Sequence, residues 1–254
     1  MERRTRLVVV GAVAALAVVG AGAAVWAFAL RDTSEPASVD EAVRRFREAA
    51  AGGETPVPPG VYVYATTGSE SISALGGTTH RYPRRSTITV MPASCGMTLR
   101  WDVLTTRSDT VTVCTGSGGQ RLGGWLERHR FFGQDDRSDW RCEATPWLPA
   151  AESGAALPYR CLSSDTDQRG TTRVLAGRTV VVDGARVDGV VVRVEAEETG
   201  SSRGRLTQER VLEPTTGLPL AIEYTVSTKN DSPIGDVDFE ERYTLRLLSL
   251  EPRR

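Results

Sequence analysis

Two histidines, His80 and His129, are the side chains of this 254-residue chain best suited to proton transfer near neutral pH. A catalytic serine would need a setting such as the G-x-S-x-G nucleophile elbow, which is absent, and residues 116–119 (GSGG) are better interpreted as a flexible turn. A zinc site would need more histidines or free thiols. We therefore expect both histidines on the surface or in loops, and the sequence predicts no catalytic residue, no metal and no cofactor.

Acidic side chains offer two further kinds of chemistry. Residues 135–139 and 163–167 are rich in oxygen ligands for calcium, but an EF-hand counted from Asp165 has Ala176 at its twelfth position. Solvated loops are expected instead. A late acidic group comprises Asp236, Asp238, Glu240 and Glu241. We interpret it as a wet sheet face or a guarded strand edge, and a glycosidase carboxylate pair is the alternative.

Aromatic residues concentrate in the middle of the chain. They are Trp101, Trp125, Phe131, Phe132 and Trp140, with Trp147 close behind. Large rings of this kind usually fill a core. The functional alternative is that they line a ligand cavity or a partner surface, and the first five are the ligand-lining residues that the sequence predicts.

Four cysteines, Cys95, Cys114, Cys142 and Cys161, predict two disulfides. Spacings of 19, 28 and 19 residues do not supply the close pairs of a zinc site or of a redox-active C-x-x-C. Of the three pairings, we favour Cys95–Cys114 and Cys142–Cys161, each closing a loop worth roughly 3 kcal/mol. Disulfides point to an oxidising compartment outside the cytoplasm.

The N-terminus predicts a membrane anchor. Residues 7–30 carry no charge and would span a bilayer as a transmembrane helix, which makes the lipid bilayer a partner. Arginines in the six-residue tail (1–6) place that tail in the cytoplasm and the rest of the chain outside. Cleavage as a signal peptide after Ala29 is the alternative, although the apolar run is longer than the usual ~7–15 residues.

Composition narrows the function classes. Basic and acidic residues balance, 31 against 32, so the basic domain typical of nucleic-acid binding is absent. Lys229 is the only lysine. Because arginine codons are GC-rich, this bias indicates a high-GC genome, and we infer an actinobacterial source.

The elements that must position these residues follow a short stalk (31–37) and belong to an extracytoplasmic domain (38–254). Ser38 and Glu41 form a capping box that begins one amphipathic helix. Strands are expected from residue 61 onward, with a hairpin turn at Asp183-Gly184, whereas 144–170 predict a long loop. Alternation such as Ile222, Tyr224 and Val226 against polar neighbours indicates nine or ten antiparallel strands with one wet face.

One helix followed by long antiparallel strands resembles the bacterial lipoprotein-carrier half-barrels, including mycobacterial envelope lipoproteins of that fold. The segment 213–219 (EPTTGLP), followed by an apolar strand, resembles a turn of that family. The resemblance implies a mainly β, α+β fold: after the transmembrane helix, one helix covers a curved antiparallel sheet or half-barrel around an apolar, acyl-binding cavity. This chain departs from the family by lacking the lipidation cysteine and by adding two disulfides.

The sequence thus predicts a non-enzymatic, single-pass envelope protein that binds a lipid-like apolar ligand or an envelope protein partner. A hydrolase that uses carboxylates and an accessory subunit of a membrane complex are the alternatives. Neither the ligand nor the oligomeric state follows from the sequence.

Overall fold

A computed structural model describes residues 34–49, 53, 55–233 and 235–254. The predicted cytoplasmic tail (1–6) and transmembrane helix (7–30) lie outside these residues, as does the start of the stalk. Among the residues described, no helix has both the length and the apolarity needed to cross a bilayer.

The described chain contains one α-helix, α1 (Val39–Ala49), a 3₁₀ turn (Ala74–Gly76) and thirteen strands. The strands are β1 (Gly60–Ile72), β2 (Thr78–Arg81), β3 (Arg85–Ala93), β4 (Gly96–Leu104), β5 (Arg107–Gly116), β6 (Gly119–Phe131), β7 (Gln134–Pro149), β8 (Ala156–Leu162), β9 (Thr166–Val182), β10 (Ala185–Gly200), β11 (Ser202–Leu212), β12 (Pro219–Asn230) and β13 (Val237–Leu247).

The sheet closes on itself, so the predicted curved sheet or half-barrel is wrong: the sheet forms a complete barrel. Each strand from β3 to β13 pairs antiparallel with the next, and β13 returns to pair with β1 from Tyr64↔Leu247 to Ile72↔Phe239. On the other edge of β1, residues 60–65 pair with β3 and residues 69–72 with β2, which therefore share one position. The result is an antiparallel barrel of twelve strand positions, closed by the pairing of β13 with β1.

Helix α1 covers part of the sheet, as predicted, and packs on the outside of the barrel. Ala42 and Phe46 are buried against Val61 of β1 and Met91 of β3. The predicted cap is present, because the Glu41 backbone N–H donates to Ser38 Oγ at 3.4 Å. The barrel interior is therefore filled by side chains from the strands and from the segments that connect them.

Strand alternation sorts the side chains between the interior and the surface. In β12, Leu220, Ile222 and Tyr224 are buried in the main core, while Glu223 between them is exposed. A strand places successive side chains on opposite faces, so one face of each strand lines the interior. This confirms the alternation predicted for the last third of the chain.

Both predicted disulfides are present. Cys95–Cys114 joins the β3–β4 turn to β5, and Cys142–Cys161 joins β7 to β8. The loop predicted over 144–170 is wrong in large part, since it contains the end of β7 and all of β8.

The contact between β7 and β8 is the thinnest junction of the barrel. Only Arg141↔Leu162 and Cys142↔Cys161 are in register there, whereas β8 and β9 share seven residue pairs. Beyond the disulfide, the buried Thr145 hydroxyl lies 3.0 Å from the Arg160 carbonyl and 3.2 Å from its N–H. A side chain thus replaces part of the backbone ladder along this seam.

Candidate ligand-binding site

The barrel encloses a cavity of about 80 Å³. Its wall is mainly aromatic and aliphatic and includes Trp101, Trp125, Trp147, Tyr224, Tyr243 and Leu206. Four side chains add charge or amide groups: Asp109, Glu127, Gln208 and Arg210. An apolar wall with a few polar groups is the usual composition of a small-molecule site. The volume has room for several waters or a small organic group, since about 10–15 Å³ admits one water.

One end of the barrel is sealed by the turn between β11 and β12. Interior side chains bind three of its backbone carbonyls: Trp147 Nε1 donates to Gly217 at 3.0 Å, Gln120 Nε2 to Thr216 at 2.8 Å and Tyr64 Oη to Pro219 at 2.7 Å. Gly217 has φ +74°, and an added Cβ would lie 2.1 Å from Gln120 Oε1. Only glycine fits this position, which explains the T-G-L-P sequence of the turn.

Toward the other end, a buried charged layer centres on Arg107, which is 1% exposed. Its Nε lies 3.1 Å from Glu241 Oε1, and its Nη2 lies 3.1 Å from Glu241 Oε2 and 2.9 Å from Asp109 Oδ2. Tyr82 also donates its hydroxyl to Glu241. One guanidinium thus bridges a carboxylate of β5 and a carboxylate of β13. Strands β1, β3 and β4 lie between β5 and β13 in the sheet.

A second carboxylate centre, Glu70 of β1, joins both histidines to this layer. His80 Nδ1 lies 2.9 Å from Glu70 Oε1 and His129 Nδ1 lies 2.8 Å from Glu70 Oε2. Burial would raise the pKa of Glu70, but hydrogen bonds from His129 and His80 and the charge of Arg107 outweigh it and lower that pKa to about 2. The ionised carboxylate in turn raises the pKa of His129, against burial and the Arg107 charge.

Glu127 of β6 is a buried carboxyl in the cavity wall. Burial, and then the negative charge of Asp109, raise its pKa to about 7, although Arg107 and His129 oppose this. The Trp140 indole donates to Glu127 Oε2 at 3.0 Å. Asp109 and Glu127 are cross-strand partners in the β5–β6 ladder, so two carboxyl groups stand side by side in the cavity wall.

The five aromatic residues predicted to line a ligand site are not all in one place. Trp101 and Trp125 line the cavity, and Trp140 stacks on Trp125 with ring centroids 5.1 Å apart. Phe131 belongs to the charged end of the barrel, where it stacks on His80 at 4.8 Å. Phe132 lies in the β6–β7 turn with φ +51°.

Several interior polar residues were placed wrongly or missed by the sequence reasoning. His80 and His129, expected at the surface or in loops, are 6% and 8% exposed. Glu241, interpreted as part of a wet acidic edge, is 2% exposed. Arg107, Glu70 and Arg210 were not singled out, although each lies at an inward position of a strand that also carries apolar inward residues.

In both acidic runs that could have bound calcium, an aspartate forms ion pairs with arginine. Asp135 pairs with Arg128 at 2.9 Å, and Asp167 pairs with Arg169 and Arg160. Over the residues that the structure describes, no group of three or more His, Cys, Asp or Glu side chains is arranged to hold a metal ion.

Comparison with known proteins yields little. No protein-family model matches the sequence, and no curated protein gives a significant match. Among solved structures, the hypothetical lipoprotein YmcC from Escherichia coli K12 is similar over 79% of this chain and 94% of its own, with 12% identity and a TM-score of 0.32. A likeness at that TM-score is too weak to carry a functional inference, and the predicted kinship with lipoprotein carriers gains no family match.

Proposed function

We propose that this protein is a binding protein that takes a small apolar or amphiphilic ligand into the interior of its barrel. The observation that carries the proposal is the internal cavity, whose wall is built from rings and aliphatic chains while a few polar groups converge on it. A barrel filled to normal packing density would leave no such space, because protein interiors hold few voids larger than a water molecule.

We also propose that the protein acts in the cell envelope, outside the cytoplasm. Support comes from two disulfides that include all four cysteines, because such bonds persist in oxidising compartments. The apolar segment 7–30 would supply the attachment to the bilayer.

Native mass spectrometry of the full chain, released from lipid nanodiscs, tests ligand binding directly. We expect a bound mass that leaves upon organic extraction and that can be identified in the extract. A variant with a filled cavity, Leu206→Phe, should lose that mass, while Thr207→Phe on the outer face of the same strand should keep it. A ligand-free wild-type chain that also fails to bind any added apolar compound would refute the proposal.

A hydrolase that uses carboxylates is the second candidate, favoured by the Asp109–Glu127 pair in the cavity wall. A protonated acid beside an ionised carboxylate is the arrangement of glycosidases. Against it, Arg107 holds both oxygens of Asp109, which restricts that carboxylate as a nucleophile. Turnover of chromogenic glycosides that disappears in Glu127→Gln would favour this candidate over simple binding.

A further inference from the structure

Arg210 of β11 is a buried cation with no counter-ion among the residues that the structure describes. The residue is 2% exposed, and its side chain lines the cavity. Its Nη2 donates to the Pro146 carbonyl at 3.3 Å, and its guanidinium lies 4.4 Å from the centre of the Trp147 ring. Within the described part of the chain, its Nε has no hydrogen-bond partner, and no carboxylate is among the charged groups that act on it.

Arg107 differs from Arg210 in having carboxylate partners. Arg107, equally buried, is met by the carboxylates of Asp109 and Glu241. Burial lowers the pKa of Arg210 to about 10, and of the described groups the Tyr159 and Tyr243 phenols alone oppose this shift. Burial holds the pKa of both phenols well above 10, so they are neutral at physiological pH and provide no negative charge.

Burying an unpaired charge is unfavourable, and a guanidinium cannot escape the penalty by losing its proton at neutral pH. The planar donor fork of arginine matches the two oxygens of a carboxylate. Gln208, two residues earlier on the same inward face, can add an amide N–H. The cavity thus has a place for one negative charge directly beside its aromatic wall.

We propose that Arg210 anchors the carboxylate of a small organic monoanion, whose apolar part lies against the aromatic wall of the cavity. The inference rests on the proposed function and names the class of ligand. A monoanion is favoured over a phosphate dianion because Arg210 is the one cation among the described residues of the cavity wall and because Asp109 and Glu127 line the same cavity. A volume of about 80 Å³ favours a short or flat ligand over a long acyl chain.

The experiment compares carboxylates with alcohols of matching shape, on the full chain in lipid nanodiscs. Hexanoate and hexanol form one pair, benzoate and benzyl alcohol the other, and titration calorimetry measures each affinity with empty nanodiscs as the blank. We expect wild type to bind each carboxylate about tenfold or more tightly than its alcohol, as a charge-assisted hydrogen bond requires. Arg210→Met should abolish that preference while leaving the affinity for the alcohol unchanged.

Arg205→Met is the matched control, because Arg205 lies on the same strand but points to solvent, with its side chain 83% exposed. It should leave both affinities unchanged. If Arg210→Met fails to fold, the wild-type ratio and Arg210→Lys, which keeps the charge but loses the fork, decide the question.

The outcomes distinguish the anchoring role of Arg210 from ligand binding in the cavity. Equal binding of carboxylate and alcohol by wild type would overturn the anchor but keep the cavity-binding function. Preference for the carboxylate that survives Arg210→Met would assign the anion to another group and also overturn the anchor. Binding of neither compound in either pair would overturn the anchor and count against the proposed function.

Discussion

Removing Arg107 is the sharpest test of the view that the charged layer holds the barrel together. The guanidinium contacts two carboxylates directly, those of Asp109 and Glu241, and its Nε lies 3.7 Å from Glu70 Oε2. In Arg107→Met, a side chain of similar length leaves these carboxylates in the barrel interior, where His80 and His129 still contact Glu70.

The expected cost follows from this geometry. Removing one partner of a buried ion pair typically destabilises a protein by about 3–5 kcal/mol, because the other charge is left buried. Burial already raises the pKa of Glu241, although the positive charge of Arg107 opposes the rise. Without Arg107 that pKa must rise further, so Glu241 of the folded variant will be protonated to a higher pH.

This shift fixes the sign of the pH dependence. An acid with a raised folded-state pKa contributes stability below its unfolded value, and that contribution is lost as the pH rises through the folded-state value. The free energy of unfolding that Arg107→Met loses relative to wild type should therefore be largest near pH 8. The loss should be smaller near pH 5, where Glu241 can take up a proton.

Urea unfolding of the full chain in mild micelles, followed by tryptophan fluorescence at both pH values, measures the effect. Arg203→Met is the control, since its pair with Asp231 is exposed and its loss should change the free energy of unfolding little. Arg107→Met combined with Glu241→Gln should recover part of the loss. A free energy of unfolding within about 1 kcal/mol of wild type at pH 8 would refute the reasoning.

Three other perturbations test separate parts of the structure. The pKa of Glu127 is raised to about 7, so the wild-type protein loses stability as the pH rises from about 4.5 to 7. Glu127→Gln should therefore gain stability relative to wild type over that range, by at most about 3 kcal/mol. Unfolding curves with no pH-dependent difference would contradict this. Cys142→Ser with Cys161→Ser should lose roughly 3 kcal/mol and speed amide exchange in β7 and β8 first, as measured by mass spectrometry; uniform exchange across all strands would argue against a weak seam. Phe46→Ala should cost about 3–5 kcal/mol in urea unfolding yet leave ligand affinity unchanged, because Phe46 packs outside the barrel; a matching loss of affinity would place the helix in the site.

The disulfides and the late strands were predictable because their signals are local. Cys95–Cys114 and Cys142–Cys161 each join residues 19 positions apart, and alternation in β12 needs only neighbouring residues. Closure of the barrel is different, since it depends on β1 pairing with β13, almost the whole domain away. A period-two pattern shows which face of a strand is apolar, but it does not show whether the sheet curls until its edges meet.

The loop prediction over 144–170 failed for a reason tied to the seam. Three prolines, Pro146, Pro149 and Pro158, lie within β7 and β8. Proline cannot donate to a ladder and so argues against a central strand. Here the prolines are accommodated beside the junction where the ladder is thinnest, and Thr145 and the disulfide take over part of the connection. Composition alone cannot distinguish such a strand from a loop.

The polar site residues escaped prediction because they occupy the inward face of amphipathic strands. In β5 the inward residues are Arg107, Asp109, Val111 and Val113, so the face begins with charges and ends with valines. The sequence pattern identifies only the valine end as a strand. A charged residue can be predicted on the inward face only when its ion-pair partner is known. The partner of Arg107 is Glu241, which lies 134 residues away in the sequence.

The two buried arginines together suggest how structural charge can be told from functional charge in such a barrel. Arg107 meets carboxylates supplied by β5 and β13, so its charge is balanced within the fold and its removal should be felt as lost stability. Arg210 meets a carbonyl and an indole ring, neither of which balances a charge. Because an unbalanced buried charge lowers the stability of the empty protein, a ligand that supplies the anion should also stabilise the fold, in proportion to the logarithm of its concentration above Kd. Stabilisation by carboxylates but not by alcohols would therefore connect Arg210 to binding, whereas the effect of Arg107 on stability should be the same with and without ligand.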